Sequence, residues 1–171
     1  MEEAEKAKEE LEKAKKEESL LRFADDVVAM AESDDLTDFT LICQGVRFRG
    51  HKVILAARSS VIRKAVTTDM SEKNKDELEI RDSTPEAVKA MLYHINTGGV
   101  PDNISDIVDK LLHLSVVYDL QSLKMACEKT LLDDLTTTNA INTLILADRQ
   151  GDLTRKLTNI QWEIFWKNIF P

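Results

Sequence analysis

The chain has 171 residues, 43% hydrophobic and 32% charged, with 23 Lys or Arg against 31 Asp or Glu and a formal net charge of −8. That is enough for one domain, or one domain with a small appendage, and the composition excludes a collagenous or wholly disordered protein. The acidic balance opposes binding to phosphate backbones, which needs clustered Lys and Arg, so no nucleic-acid partner is expected.

No apolar run approaches the roughly 18 residues that span a bilayer, and MEEAEKAKEE lacks the basic and apolar regions of a secretory signal. An intracellular protein, nuclear or cytoplasmic, without a membrane partner is expected. The two cysteines, Cys43 and Cys127, form no C-x-x-C pair and no histidine lies at metal-ligand spacing. They read as buried thiols in a reducing compartment, with no metal and no cofactor.

Residues 1–18, MEEAEKAKEELEKAKKEE, are almost purely Glu, Lys and Ala, with Glu-to-Lys pairs four apart such as Glu2 with Lys6 and Glu9 with Lys13. Such spacing supports a helix, but Leu11 is its only large apolar residue, so a solvated helical leader is expected rather than a coiled coil. From Ser19 the character changes. Leu20, Phe23, Val27 and Met30 recur at helical spacing and predict an amphipathic helix ending near Ser33-Asp34-Asp35.

DFTLICQGVRFRG then pairs two β-rich runs across a Gln-Gly turn, which predicts a hairpin. HKVILAARSSVIRKAV returns to helical spacing with a break near Arg58-Ser59-Ser60. TTDMSEKN is polar apart from Met70, and DELEIRD alternates Leu78 and Ile80 with charges, as a half-exposed strand does. STPEAVKAMLYHI carries a helix start, with Ser83 or Thr84 as the cap and Pro85 at the first helical position, and stops at Thr97-Gly98-Gly99. Two further helices are expected over Ile104 to Val117 and Leu120 to Leu132, then one over Ala140 to Asp148. A last amphipathic segment carries Trp162, Phe165, Trp166 and Phe170. Strands toward the front and helices behind predict an α+β fold, mainly helical with a small sheet.

These strings in this order resemble the BTB/POZ domain. Asp38 lies in the T-D-F-T turn, His51 to Ser59 match H-K-x-I-L-A-A-R-S, and TDMSEKN, TPEAVKAML, I-N-T-G at Ile95 to Gly98 and LKMACEKTL follow in order. The chain is similar, over about residues 20–150, to the MATH-BTB group that includes speckle-type POZ protein. The substrate-binding MATH domain of those relatives has the Glu/Lys/Ala leader in its place, so this chain looks like the adaptor half alone. The resemblance divides it into a leader at 1–18, a BTB/POZ domain with its dimerisation helix at 19–132, and three-box or BACK-like helices at 133–171.

The resemblance also implies partners. In adaptors of this family a hydrophobic residue, any residue and then Glu engage cullin-3, the scaffold of a ubiquitin ligase, and Met70-Ser71-Glu72 fits that pattern. A flexible thioether suits an apolar groove, and the carboxylate suits its rim. Asn96, Tyr118 and Asp119 are further implied contacts of the cullin-3 N-terminal domain. Asn96 stands where the family has Tyr, and Ile62 and Val66 stand where it usually has aromatics. Leu144, Leu146 and the late aromatics would line the widened cullin groove or pack a core.

The face of Leu20, Phe23, Val27 and Met30, joined by Ile54, is the implied homodimer interface, since an isologous two-fold contact is the common solution for such a patch. No enzyme is expected. His51, His94 and His113 are scattered, His51 matches a structural position, and no phosphate loop or nucleophile elbow occurs. The alternatives are a structural, even re-engineered, oligomerisation module with a vestigial cullin surface, and a corepressor-binding module of transcription factors. The second is disfavoured by the lack of a following zinc-finger array.

Overall fold

A computed structural model of the chain describes residues 2–67 and 76–134, with side chains from Glu5 on. In chain order these form α1 (Glu2–Glu32), β1 (Phe39–Cys43), β2 (Val46–Gly50), α2 (Lys52–Arg58), α3 (Ser60–Thr67), β3 (Glu77–Glu79), α4 (Pro85–Thr97), α5 (Val108–Val117) and α6 (Gln121–Asp133). The architecture is α+β, with helices predominating over one three-stranded sheet of order β2-β1-β3.

The hairpin forms where Gln44 and Gly45 meet. Both have positive φ, 48° and 81°, as the tight turns between right-twisted strands require. A Cβ on Gly45 would meet nothing within 4 Å, so its value lies in backbone freedom and not in space. Gly45→Ala is therefore expected to lower stability by about 1 kcal/mol in urea denaturation, from the left-handed backbone alone.

β1 pairs antiparallel with β2 and parallel with β3, in the register Leu41 opposite Phe48 and Leu78. Phe39, Leu41 and Cys43 point inward and are buried, while Thr40 and Ile42 on the other face are half-buried. The outward face carries Arg47 paired with Glu77, and Lys52 paired with Asp76 lies beside it. Such exposed pairs contribute little to stability.

α2 and α3 are separate helices because Ser59, at φ −126° and ψ 118°, is extended and breaks the run. The α4 start is settled in favour of Thr84, whose hydroxyl accepts from the Ala87 amide at 3.4 Å, with Pro85 in the first turn. At its other end Gly98 is left-handed at φ 77°, and its N–H donates to the His94 carbonyl at 2.8 Å.

α5 departs from expectation, beginning at Val108 rather than Ile104. Ile104 and Ile107 have helical spacing but serve a single turn, in which the Ile107 amide donates to the Ile104 carbonyl at 3.0 Å. Asn103 at φ 59° redirects the chain just before it, and Ser105 Oγ donates to Asp134 Oδ2 at 2.6 Å.

The core lies between the inner sheet face and α2 to α6, with Leu41, Leu55, Ile62, Met91, Leu111 and Leu123 fully buried. Removing apolar surface of this extent from water is the main force that closes the fold.

Candidate functional site

α1 runs unbroken through the junction at Ser19, so the charged leader and the apolar segment are one helix. Its C-terminal end is held to the domain: Ala31 is buried, Val27 and Val28 are half-buried, and Asn96 Nδ2 on α4 donates to the Ala31 carbonyl at 3.0 Å. The same helix leaves Leu20 58% and Phe23 67% exposed upstream, and Met30, beside Ala31, 40% exposed. Ile54 on α2 is half-buried and packs partly on the core, whereas its neighbour Val53 is 72% exposed.

The expected apolar face thus splits. Val27 turns toward the domain, and Leu20, Phe23 and Met30 remain outside, joined by exposed Leu21. Sequence reasoning missed Leu21 and Val53. A row starting at Leu21 and passing through Ala24, Val28 and Ala31 was available as a second stripe, but counting one residue per turn from Leu20 hides it. A contiguous set of exposed large apolar side chains is the usual mark of an interaction surface.

A second cluster joins the α2–α3 break to the α5–α6 turn. Ser59 is fully buried; its Oγ donates to the Tyr118 carbonyl at 2.7 Å and accepts from the Ile62 amide at 3.1 Å. Next to it, Ser60 Oγ donates to Asp119 Oδ2 at 2.6 Å, and Gln121 Nε2 donates to Asp119 Oδ1 at 3.2 Å. These bonds, Ser60 foremost, hold the Asp119 carboxyl below its ordinary range, and Lys64 adds to the effect.

Tyr118 is only 6% exposed, and burial pushes its phenol up. Its side chain therefore offers a partner little area. Asp119 is exposed, and Asn96 is half-buried on the α1 side of α4. Met70, Ser71 and Glu72 lie outside the described residues, as do Leu144, Leu146 and the late aromatics.

The first motif builds the scaffold behind these surfaces. His51 is buried, and its Nε2 lies 2.8 Å from the Asp35 carbonyl, which can only accept, so that nitrogen carries the proton. Asp38 Oδ1 accepts from the Lys52 amide at 2.7 Å and satisfies the open start of α2. His51 and Asp38 are thus structural, tying the loop after α1 to the hairpin and α2. The thiols are equally inert: burial pushes Cys43 up, and Cys127 up to about 12. Among the described residues no His, Cys, Asp or Glu group could hold a metal ion, and no helix is long and apolar enough to cross a membrane.

The family model described as the BTB/POZ domain matches residues 28–135, more than half of the chain. The chain belongs to the BTB/POZ family. BTB/POZ domains are protein–protein interaction and oligomerisation modules, so the exposed α1 face and the α3 to α5–α6 junction are surfaces of an interaction protein. Within this BTB/POZ domain the departure at Ile62 falls in the core, where the side chain is fully buried, and Val66 packs half-buried against the same core.

Proposed function

We propose that this BTB/POZ domain is a homodimeric adaptor of the MATH-BTB type, similar to speckle-type POZ protein, that recruits cullin-3 to a ubiquitin ligase. Ubiquitin transfer is performed by the recruited ligase and not by this chain. The observation that carries the reading is the α1 face: the domain closes its core while Leu20, Phe23 and Met30 stay in solvent, a patch that a second copy would cover. Two cullin sites per dimer would raise avidity for multivalent substrates.

Met70-Ser71-Glu72 is assigned to cullin-3 because it falls between the end of α3 at Thr67 and the start of β3 at Glu77, where the family carries its hydrophobic-x-Glu motif. Residues 133–171 are assigned to the three-box or BACK-like extension and residues 1–18 to a leader outside the domain. Calorimetric titration of the chain with the cullin-3 N-terminal domain tests the reading. Met70→Asp is expected to weaken binding by about a hundredfold or more, as for loss of a central apolar anchor, and Glu72→Ala by about tenfold. No heat from the parent, or full affinity in both variants, removes the adaptor role.

A second reading, a structural oligomerisation module with a vestigial cullin surface, draws support from two positions. The Asn96 amide is committed to the Ala31 carbonyl, and the Tyr118 side chain is buried. A dimer in sedimentation that gives no heat with cullin-3 would establish it.

A further inference from the structure

Helix α5 ends in a complete Schellman motif, with the Leu120 amide donating to the Ser115 carbonyl at 2.7 Å and the Asp119 amide to the Val116 carbonyl at 3.2 Å. The residue just past the cap in such a motif is left-handed and is usually glycine; here it is Asp119, at φ 54°. An aspartate tolerates that conformation less well than glycine does. Its side chain, however, reaches back to α3 and takes the Ser60 hydroxyl at 2.6 Å.

We infer that Asp119 is a positioning residue, which through Ser60 fixes the direction of α3 against the α5–α6 turn so that the two present one surface to the partner. This rests on the adaptor reading for the identity of that partner, but the lock itself does not. α3 has eight residues, too few to hold its course by helix propensity, so its direction comes from tertiary ties. Ser59, buried and bonded to the Tyr118 carbonyl, pins the point where the chain bends. That pin, with Ile62 buried in the core and Arg63 donating to the Ala56 and Ala57 carbonyls, holds the inner face of α3. Ser60 supplies a second pin, and Lys64, one turn further on the same side, adds attraction to the same carboxylate.

The assignment separates Asp119 from a direct contact. Both of its carboxylate oxygens accept bonds within the chain, from Ser60 and from Gln121, and these bonds are what the assignment relies on. A glycine would serve the backbone better and lose the lock, so backbone stability and α3 direction respond oppositely to Asp119→Gly.

The test is a cycle of Ser60→Ala, Asp119→Ala and the double variant in the full chain, with Ser59 intact to keep the junction folded. Cullin-3 N-terminal domain titration and hydrogen exchange of the α3 amides are the readouts. Each single change is expected to weaken binding about fivefold, the double no further, with the same loss of α3 protection in all three. Asp119→Gly should match Asp119→Ala in affinity while its Tm equals or exceeds that of the parent, and Asp119→Asn should recover part of the affinity. If the double loss is the product of the singles, Asp119 touches the partner itself and the inference fails. Unchanged α3 exchange in Ser60→Ala also overturns it. Should the parent bind no cullin-3, the adaptor reading falls, and α3 exchange alone decides the lock: lost protection upholds it, unchanged protection refutes it.

Discussion

Phe23→Asp with Val27→Asp is expected to halve the sedimenting mass of the protein while leaving the fold of each chain intact. Phe23 is 67% exposed and Val27 half-buried, so in the monomer the first change removes no core contact and the second removes only part of one. Across a two-fold axis each substitution occurs twice, so Phe23→Asp alone brings two carboxylates into the interface. Burying a large apolar side chain contributes about 1.5–3 kcal/mol, and a buried unpaired carboxylate costs more than that gain. The dimer dissociation constant is therefore expected to rise by at least about a thousandfold. Sedimentation velocity over a dilution series measures it. A parent already at monomer mass, or a double variant still at dimer mass, would count against the α1 face. Leu21→Asp and Val53→Asp extend the test, because both are exposed, one next to Leu20 on α1 and the other next to Ile54 on α2, and neither belongs to the expected set.

The lesson for reading such a sequence lies in which contacts are local. The hairpin, the break at Ser59 and both ends of α4 were legible because each is decided by two or three adjacent residues: Gln44-Gly45, Arg58-Ser59-Ser60, Thr84-Pro85 and Gly98. The parallel pairing of β3 with β1 was not, since β2, α2 and α3 separate Leu41 from Leu78 along the chain. The α5 start was misread because Ile104 and Ile107 keep helical spacing while anchoring a turn.

For the surfaces, the resemblance implies Asn96 and Asp119 as partner contacts, and the structure adds bonds within the chain, from Asn96 to Ala31 and from Ser60 and Gln121 to Asp119. Pairs 65 and 59 residues apart leave no trace in hydrophobic periodicity, which records only which side of an element meets the core. A capping motif with aspartate in the glycine position was a visible signal, because the turn after Val117 contains no glycine to end the helix.

His94→Ala is expected to lower stability by about 3 kcal/mol, in line with removing a fully buried ring-bearing side chain. The imidazole is 1% exposed near the C-terminal end of α4, where Nδ1 lies 2.8 Å from the Gly99 carbonyl and Nε2 2.8 Å from Ser122 Oγ. A carbonyl only accepts, so Nδ1 carries the hydrogen, and neutral Nε2 accepts from the Ser122 hydroxyl. One ring thus ties the loop after α4 to the first turn of α6. Protonation would force the serine hydroxyl to turn away and would leave a charge at a buried position. Burial accordingly holds the His94 pKa below its ordinary value; the Gly99 bond opposes this and the Arg58 guanidinium adds to it.

The sign of the pH dependence follows. The folded chain binds this proton less readily than the unfolded chain does. The stabilisation is therefore whole above the ordinary histidine value of about 6.5 and is lost as pH falls from there through the depressed folded value. Denaturant unfolding at pH 7.5 and at 5.5 should show the parent losing stability on acidification. His94→Phe, which fills the space without titrating, should lose less on acidification. Equal losses in the parent and in His94→Phe would mean that another group carries the acid sensitivity.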